Sequence, residues 1–200
     1  MKTDTDTEAE SETDEELLTR SVSDPVAFEP LVARHSTALH GFLLRRAPGA
    51  ADDLLSETWL QAFRGRAGFD PGRGTVRGWL FGVARVVVAG HWRGAPRDLG
   101  IPSPSEGSTD PWGAVDQRLD AAAVAPLMRR VLAGMPEVER QLLLLVVWDQ
   151  LTPAEAATAV GVPPGTARSR LHRARKRLRE ALGAGQGTDT EAELTAGDLT

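Results

Sequence analysis

The sequence contains no cysteine, which excludes disulfides, thiol nucleophiles, thiolate zinc sites and direct cysteine redox sensing. It also lacks a long apolar run. The longest, Leu142 to Trp148, falls far short of the roughly 20 residues needed to span a bilayer. The N-terminus is acidic rather than basic and apolar, so no export signal or membrane anchor is expected and a cytoplasmic protein is the natural reading. Histidines are few: His35, His40, His91 and His172 form no close metal-ligand spacing with carboxylates. Neither a P-loop nor a nucleophile elbow is present, so no metal, cofactor, catalytic residue or enzymatic activity is expected. The stretch Gly72 to Gly78 superficially evokes a nucleotide loop, but it misses the G-x-G-x-x-G spacing by one residue and no strand precedes it.

What is present is a chain of 200 residues, 41% hydrophobic, that suits two small helical domains. Charge is distributed in blocks. Residues 1–16 carry −7 and residues 183–200 carry −4, so with a total of −5 the stretch between them is +6. An acidic extension over 1–24 is expected to be disordered, because its first 16 residues have too little apolar surface to offset ordering entropy. It serves solubility, or mimics phosphate and covers the basic body until DNA displaces it. The tail 183–200 is read likewise as disordered and acidic.

Helical periodicity then defines a first domain, 25–95. Phe28, Leu31, Val32, His35, Leu39, Phe42 and Leu43 recur at steps of three and four, and Pro48-Gly49 ends that helix. A second helix, about Ala51 to Arg64, turns Leu54, Leu55, Thr58, Trp59, Ala62 and Phe63 inward and Asp52, Asp53 and Glu57 outward. Those acids suit a helix start through the macrodipole, or form a ridge for a basic protein partner. The Gly65 to Gly74 loop follows by its glycines and Asp-Pro-Gly turn. Thr75 caps a third helix, about Val76 to Arg93, that buries Trp79, Leu80, Val83, Ala84, Val87 and Val88 and leaves Arg77, Arg85 and Arg93 for an outer surface.

The stretch 96–115, within a Pro-, Gly- and Ser-rich region from Gly94 to Pro111, reads as a flexible linker. The second domain, 116–182, opens with a helix from Asp116 to Ala133 that Pro126 breaks or restarts. The next, starting at Met135-Pro136, is apolar nearly all round over Leu142 to Trp148 and should be core.

The chain's strongest local signal comes last. Thr152 with Glu155 three residues on and Pro153 between them is a capping box, and Gly161 stands where positive φ would end that helix. The next helix starts after Pro163-Pro164. On its wheel Ala167, Leu171, Ala174, Leu178 and Ala181 share one side, with Ser169, His172, Arg173 and Lys176 opposite. Arg168, Arg175 and Arg179 flank that outer face on one edge and Arg170 and Arg177 on the other. Seven Lys/Arg against one Glu between Pro164 and Leu182 give a local charge of +6. An apolar back, a polar front and cationic edges describe a DNA-binding helix-turn-helix; a solvated basic helix is the bland alternative.

These residues together resemble an extracytoplasmic-function sigma factor of bacterial RNA polymerase, in the sigma-70 family. Asp52-Asp53-Leu54-Leu55-Ser56-Glu57-Thr58-Trp59-Leu60 resembles the family's acidic polymerase-binding helix, and Trp79-Leu80 through Ala84-Arg85 its promoter −10 helix. Gly165 to Leu171 and Arg173-Ala174-Arg175 resemble its −35 recognition helix. The resemblance spans roughly 25 to 95 and 120 to 182, and implies a sigma region 2 domain followed by a region 4 domain. Asp52, Asp53 and Glu57 would then meet the polymerase clamp helices. Phe69 would wall a pocket for an extruded −10 base, with Arg73, Arg77 and Arg85 as further −10 contacts. Ser169, His172 and Arg173 would face −35 base edges while Arg168, Arg170 and Lys176 neutralise phosphates.

Implied partners are core RNA polymerase and promoter DNA, with an anti-sigma factor left open, no membrane, and a monomer when free. The sequence departs from the family pattern where Ala84-Arg85-Val86 and Gly90 replace two commonly polar positions, and where Pro163 stands in place of a capping serine. The other readings are a response-regulator-type helix-turn-helix transcriptional regulator and a structural helical scaffold.

Overall fold

The computed structural model describes residues 12–93 and 125–194, and side chains of the last helix as far as Leu182. Eight α-helices carry the architecture among the described residues: α1 Asp14–Arg20, α2 Glu29–Arg46, α3 Ala51–Gly65, α4 Val76–Arg93, α5 Ala125–Ala133, α6 Glu137–Val147, α7 Pro153–Val160 and α8 Pro164–Leu194. No strand occurs among them. The all-α reading with a terminal helix-turn-helix therefore stands, while the 96–115 linker lies outside the described residues. No described helix is long and apolar enough to cross a membrane.

The first half packs α2, α3 and α4 around an aromatic centre. Phe28 meets Trp59 and Phe63 edge-on at 5.9 and 5.3 Å, and Phe42 meets Phe81 at 5.4 Å, geometries that the ring quadrupole favours. Trp59, half-buried, also donates its indole N–H to the Ser36 hydroxyl at 3.2 Å, so that polar atom is satisfied. Thr75 caps α4 as expected, its hydroxyl accepting from the Gly78 N–H at 3.1 Å.

The N-terminal extension differs from its expected disorder over 1–24, because α1 lies inside it. Thr13 and Glu16 form a capping box, and three acids occupy the first turn. Leu17 and Leu18, which the wholly polar look of the preceding stretch overshadows, are buried in the core. Asp14 anchors α1 to α2 through Arg34 at 2.8 Å and His35 at 2.5 Å. Glu15 accepts from the Val76 N–H at 3.1 Å, so α1 supplies a second cap for α4.

The last helix also exceeds its expected end at Leu182. Its backbone continues to Leu194 through Gly183, Gly185 and Gly187, since extending a nucleated helix adds a hydrogen bond per residue without a new nucleation cost.

In the second half α6 presents two sides. Leu143 and Leu144 join Leu132, Met135 and Ala174 in one cluster; Leu142 and Leu145 join the main core with Leu151, Ala156, Ala167 and Leu171. That main core is continuous with the first half's Leu80, Phe81 and Ala84. The two halves are thus packed together, with α7 lying chiefly against α4.

Candidate nucleic-acid and polymerase interfaces

The α7–α8 turn is built by its sequence. Thr152 accepts from the Glu155 N–H at 3.2 Å while Glu155 accepts from the Thr152 N–H at 2.7 Å, starting α7 cleanly. Gly161 ends it at φ 76° and ψ 36°, a left-handed conformation that glycine adopts without steric cost. Its N–H and that of Val162 both return to Ala157 O, at 2.9 and 3.0 Å, closing the helix end. Pro163 offers no side-chain cap to α8, but its carbonyl accepts the first helical bond from Ala167 at 3.0 Å.

Ala167, Leu171 and Ala174 are buried on the back of α8, and Arg168, Ser169, His172, Arg173, Arg175, Lys176, Arg177 and Arg179 are exposed, with Arg170 half-buried. The expected outer face is therefore assembled. One partner was not expected. Glu139 of α6, its side chain only 7% exposed, faces Arg173 Nε at 3.4 Å and Arg177 Nη1 at 3.2 Å. It holds two successive turns of α8 against α6 and occupies the Nε side of Arg173. No sequence signal marks Glu139, since the periodicity of α6 gives its apolar positions but not which acid is buried. Lys176 pairs loosely with Glu180 at 3.7 Å.

The acidic ridge sits at the solvent side of α3. Asp52 is 96% exposed and lies 3.0 Å from His40 Nε2. Asp53 is exposed, and Glu57 is half-buried and accepts from Gln61 at 3.0 Å. Asp53 and Glu57 line a shallow hollow with Ser56, His91 and the exposed Leu60, an apolar member that the charge pattern alone did not point to.

The −10 set is only partly gathered. Phe69 is half-buried against Trp79, ring centroids 5.6 Å apart, and Arg73 is exposed. Arg77 and Arg85, expected free on an outer surface of α4, are not free, because α7 covers that side. Arg77 Nη1 reaches Glu155 Oε2 at 3.2 Å and Gln150 O at 3.3 Å. Arg85 donates through Nε to Ala159 O at 3.1 Å and through Nη1 to Gln141 Oε1 at 3.2 Å. Burial pushes the Arg85 guanidinium below its ordinary range, with the Glu137 charge opposing. The wheel of α4 could not show this, since it marks a polar side without saying what lies on it.

A further ionic cluster joins the halves. Asp149, just after α6 and fully buried, pairs with Arg45 and, at 2.9 Å, with the fully buried Arg46 of α2. Desolvation lowers the Arg46 guanidinium to about 10, against the opposing pull of Asp149. Arg46 also lies 3.6 Å over the Phe42 ring. Among the described residues, no three His, Cys, Asp or Glu side chains gather as a metal would require.

Comparison with known proteins agrees with this geometry. The sigma-70 region 2 family matches residues 31–97, and the sigma-70 region 4 family matches residues 127–178. The chain is 31% identical to the ECF RNA polymerase sigma factor SigF of Caulobacter vibrioides, over 92% of this chain and 99% of that protein. It is 30% identical to the ECF RNA polymerase sigma factor RpoE of Cereibacter sphaeroides, over 88% of this chain and 99% of that one. Among solved structures it shares the fold of CnrH, determined in complex with the cytosolic domain of CnrY, with a TM-score of 0.56 at 23% identity over 86% of this chain and 99% of CnrH. The chain belongs to the extracytoplasmic-function group of sigma-70 family RNA polymerase sigma factors, which are transcription-initiation factors and not enzymes.

Proposed function

We propose that the chain binds core RNA polymerase through α3 and directs it to promoters in the cytoplasm by reading −10 DNA with its first half and −35 DNA with α8. The observation that carries this reading is the outer face of α8, where Ser169, His172, Arg173 and Lys176 stand exposed over a buried Ala167–Leu171–Ala174 back. A helix so divided fits a major groove with base-facing groups in front and cations toward both phosphate rows. Arg173 is the guanine reader: its terminal nitrogens form the fork that matches O6 and N7, while Glu139 steadies its Nε side. Ser169 and His172 share that base-facing front, and Arg168, Arg170 and Lys176 neutralise phosphates.

On α3, Asp52, Asp53 and Glu57 form the docking face. Exposed carboxylates there set encounter rate and register with a basic partner. Phe69 walls the −10 pocket with Arg73, and Arg77 and Arg85 reach DNA from α4 by exchanging their Glu155 and Ala159 partners for phosphate oxygens.

The response-regulator alternative is not favoured, since the first half matches sigma-70 region 2 over residues 31–97. Purified protein mixed with core polymerase should co-elute with it and direct a promoter-specific transcript. Failure of both would overturn the reading, because a helix-turn-helix regulator or a helical scaffold does not do both.

A further inference from the structure

A cation on α8 can meet two kinds of DNA acceptor. Phosphate oxygens are anionic and the same at every step, whereas guanine O6 and N7 are neutral acceptors that identify a base. One buried carboxylate bears on that choice. Glu139, in the first turn of α6, has a side chain only 7% exposed and lies 3.4 Å from Arg173 Nε and 3.2 Å from Arg177 Nη1. Those two arginines are four residues apart, one turn of α8, so a single carboxylate serves both. The macrodipole favours any acid in a first turn, but it does not account for burial against another helix. Glu137 of the same turn is half-buried and accepts from Gln141 of its own helix at 2.6 Å; Glu139 instead reaches across to α8. Glu180, on α8 itself, meets Lys176 at 3.7 Å with both side chains 62% exposed, a solvated pair worth little.

We infer that Glu139 is a positioning and specificity-determining residue for −35 recognition: its carboxylate holds Arg173 by Nε and offsets its charge, so that Arg173 favours the neutral edge of guanine over a phosphate. The inference rests on the −35 reading of α8 given above. With Nε engaged, Nη1 and Nη2 are the donors Arg173 has left for a base, and they form the fork that O6 and N7 require. A phosphate approaching Arg173 meets a like charge beside it, in a buried setting that salt screens poorly. A guanine edge carries no net charge and meets no such repulsion. Specificity is a difference of affinities, and Glu139 widens it by weakening the sequence-blind side.

The full chain and its Glu139→Gln variant, bound to a pool of duplexes of about 20 base pairs with a randomised centre, test this. Glutamine keeps the volume and an acceptor oxygen for Nε but loses the charge. The fold should tolerate it, because Arg173 and Arg177, 57% and 46% exposed, remain hydrated. By fluorescence anisotropy on one duplex of fixed sequence, the fall in affinity between about 50 and 200 mM salt should become about fourfold larger, since one cation freed for phosphate adds about one to the salt slope. Sequencing of the bound pool should show the guanine preference at one position falling about threefold or more. Glu139→Leu repeats the loss of charge without an acceptor for Nε, and should lose more of the preference.

Arg173→Ala should abolish that preference, and adding Glu139→Gln to it should change the base profile no further, as for a residue that acts through another. A merely structural Glu139 would lower the urea midpoint and leave the salt slope and the preference as they are; that result in both Glu139 variants overturns the inference. Absence of any base preference in the unaltered chain, or its persistence in Arg173→Ala, instead overturns the −35 reading of Arg173, and the inference with it.

Discussion

Replacing Asp149 by alanine should destabilise the packed arrangement of the two halves far more than it disturbs either half alone. Asp149 and Arg46 are both fully buried, 2.9 Å apart, just after α6 and within α2 respectively. Removing one partner of such a pair leaves an uncompensated buried charge, which costs about 3 to 5 kcal/mol. Arg46 retains its bond to Phe42 O at 3.0 Å and its place over the Phe42 ring, so the lower end of that range is the better expectation. The loss has an outlet, because separating the halves returns Arg46 to water. The measured loss in global stability is therefore capped at the cost of opening, and the remainder appears as a shift in the ratio of packed to separated forms. Taken fully by that shift, 3 to 5 kcal/mol is a change of roughly 150- to 5,000-fold.

Small-angle scattering should show a larger radius of gyration for Asp149→Ala with circular dichroism unchanged. The double replacement Arg46→Met, Asp149→Leu, which removes both charges at similar volume, should restore the packed radius, as apolar substitutes for buried pairs are often neutral or stabilising. Unchanged scattering together with an unchanged urea midpoint in Asp149→Ala would refute the account, since it would mean the pair contributes nothing in either direction.

Three further outcomes are expected. The combined change Asp52→Lys, Asp53→Lys should abolish core polymerase binding while leaving helical content intact; unchanged affinity at physiological salt would reduce the ridge to a helix-start preference. Arg173→Ala should cost about 1 to 3 kcal/mol and flatten preference at one −35 position, whereas Arg168→Ala should weaken all sequences alike and shallow the salt slope by about one unit. Binding of both variants to single-base −35 mutants at two salt concentrations checks this, and retained discrimination in both would return α8 to non-specific electrostatics. Burial raises the Asp14 carboxyl, but the hydrogen bonds and charges of Arg34 and His35 outweigh it and hold Asp14 below its ordinary value. A depressed carboxyl contributes stability above its unfolded pKa and loses it as pH falls through the folded one, so the docking of α1 should weaken in acid. The urea midpoint should fall between neutral pH and about pH 3, and less steeply in Asp14→Asn; equal slopes would contradict the assignment.

Local chemistry was legible in the sequence wherever the determinant is short-range. The α7 capping box, the left-handed Gly161, the Thr75 cap and the divided wheel of α8 each depend on residues a few positions apart, so pattern and structure coincide there. The composition of the first 16 residues misled because it averaged over Leu17 and Leu18 just beyond, whose burial makes α1 a docked helix. What α4 faces was beyond the sequence, since Gly78 and Gly82 show only that something approaches closely, and Arg77 and Arg85 only that a cation needs a partner. Both candidates for that partner, DNA phosphates and the oxygens of α7, present the same acceptor chemistry. The choice between them in the free chain, like the pairing of Asp149 with an arginine 103 residues earlier, is made by long-range packing, which no local period encodes.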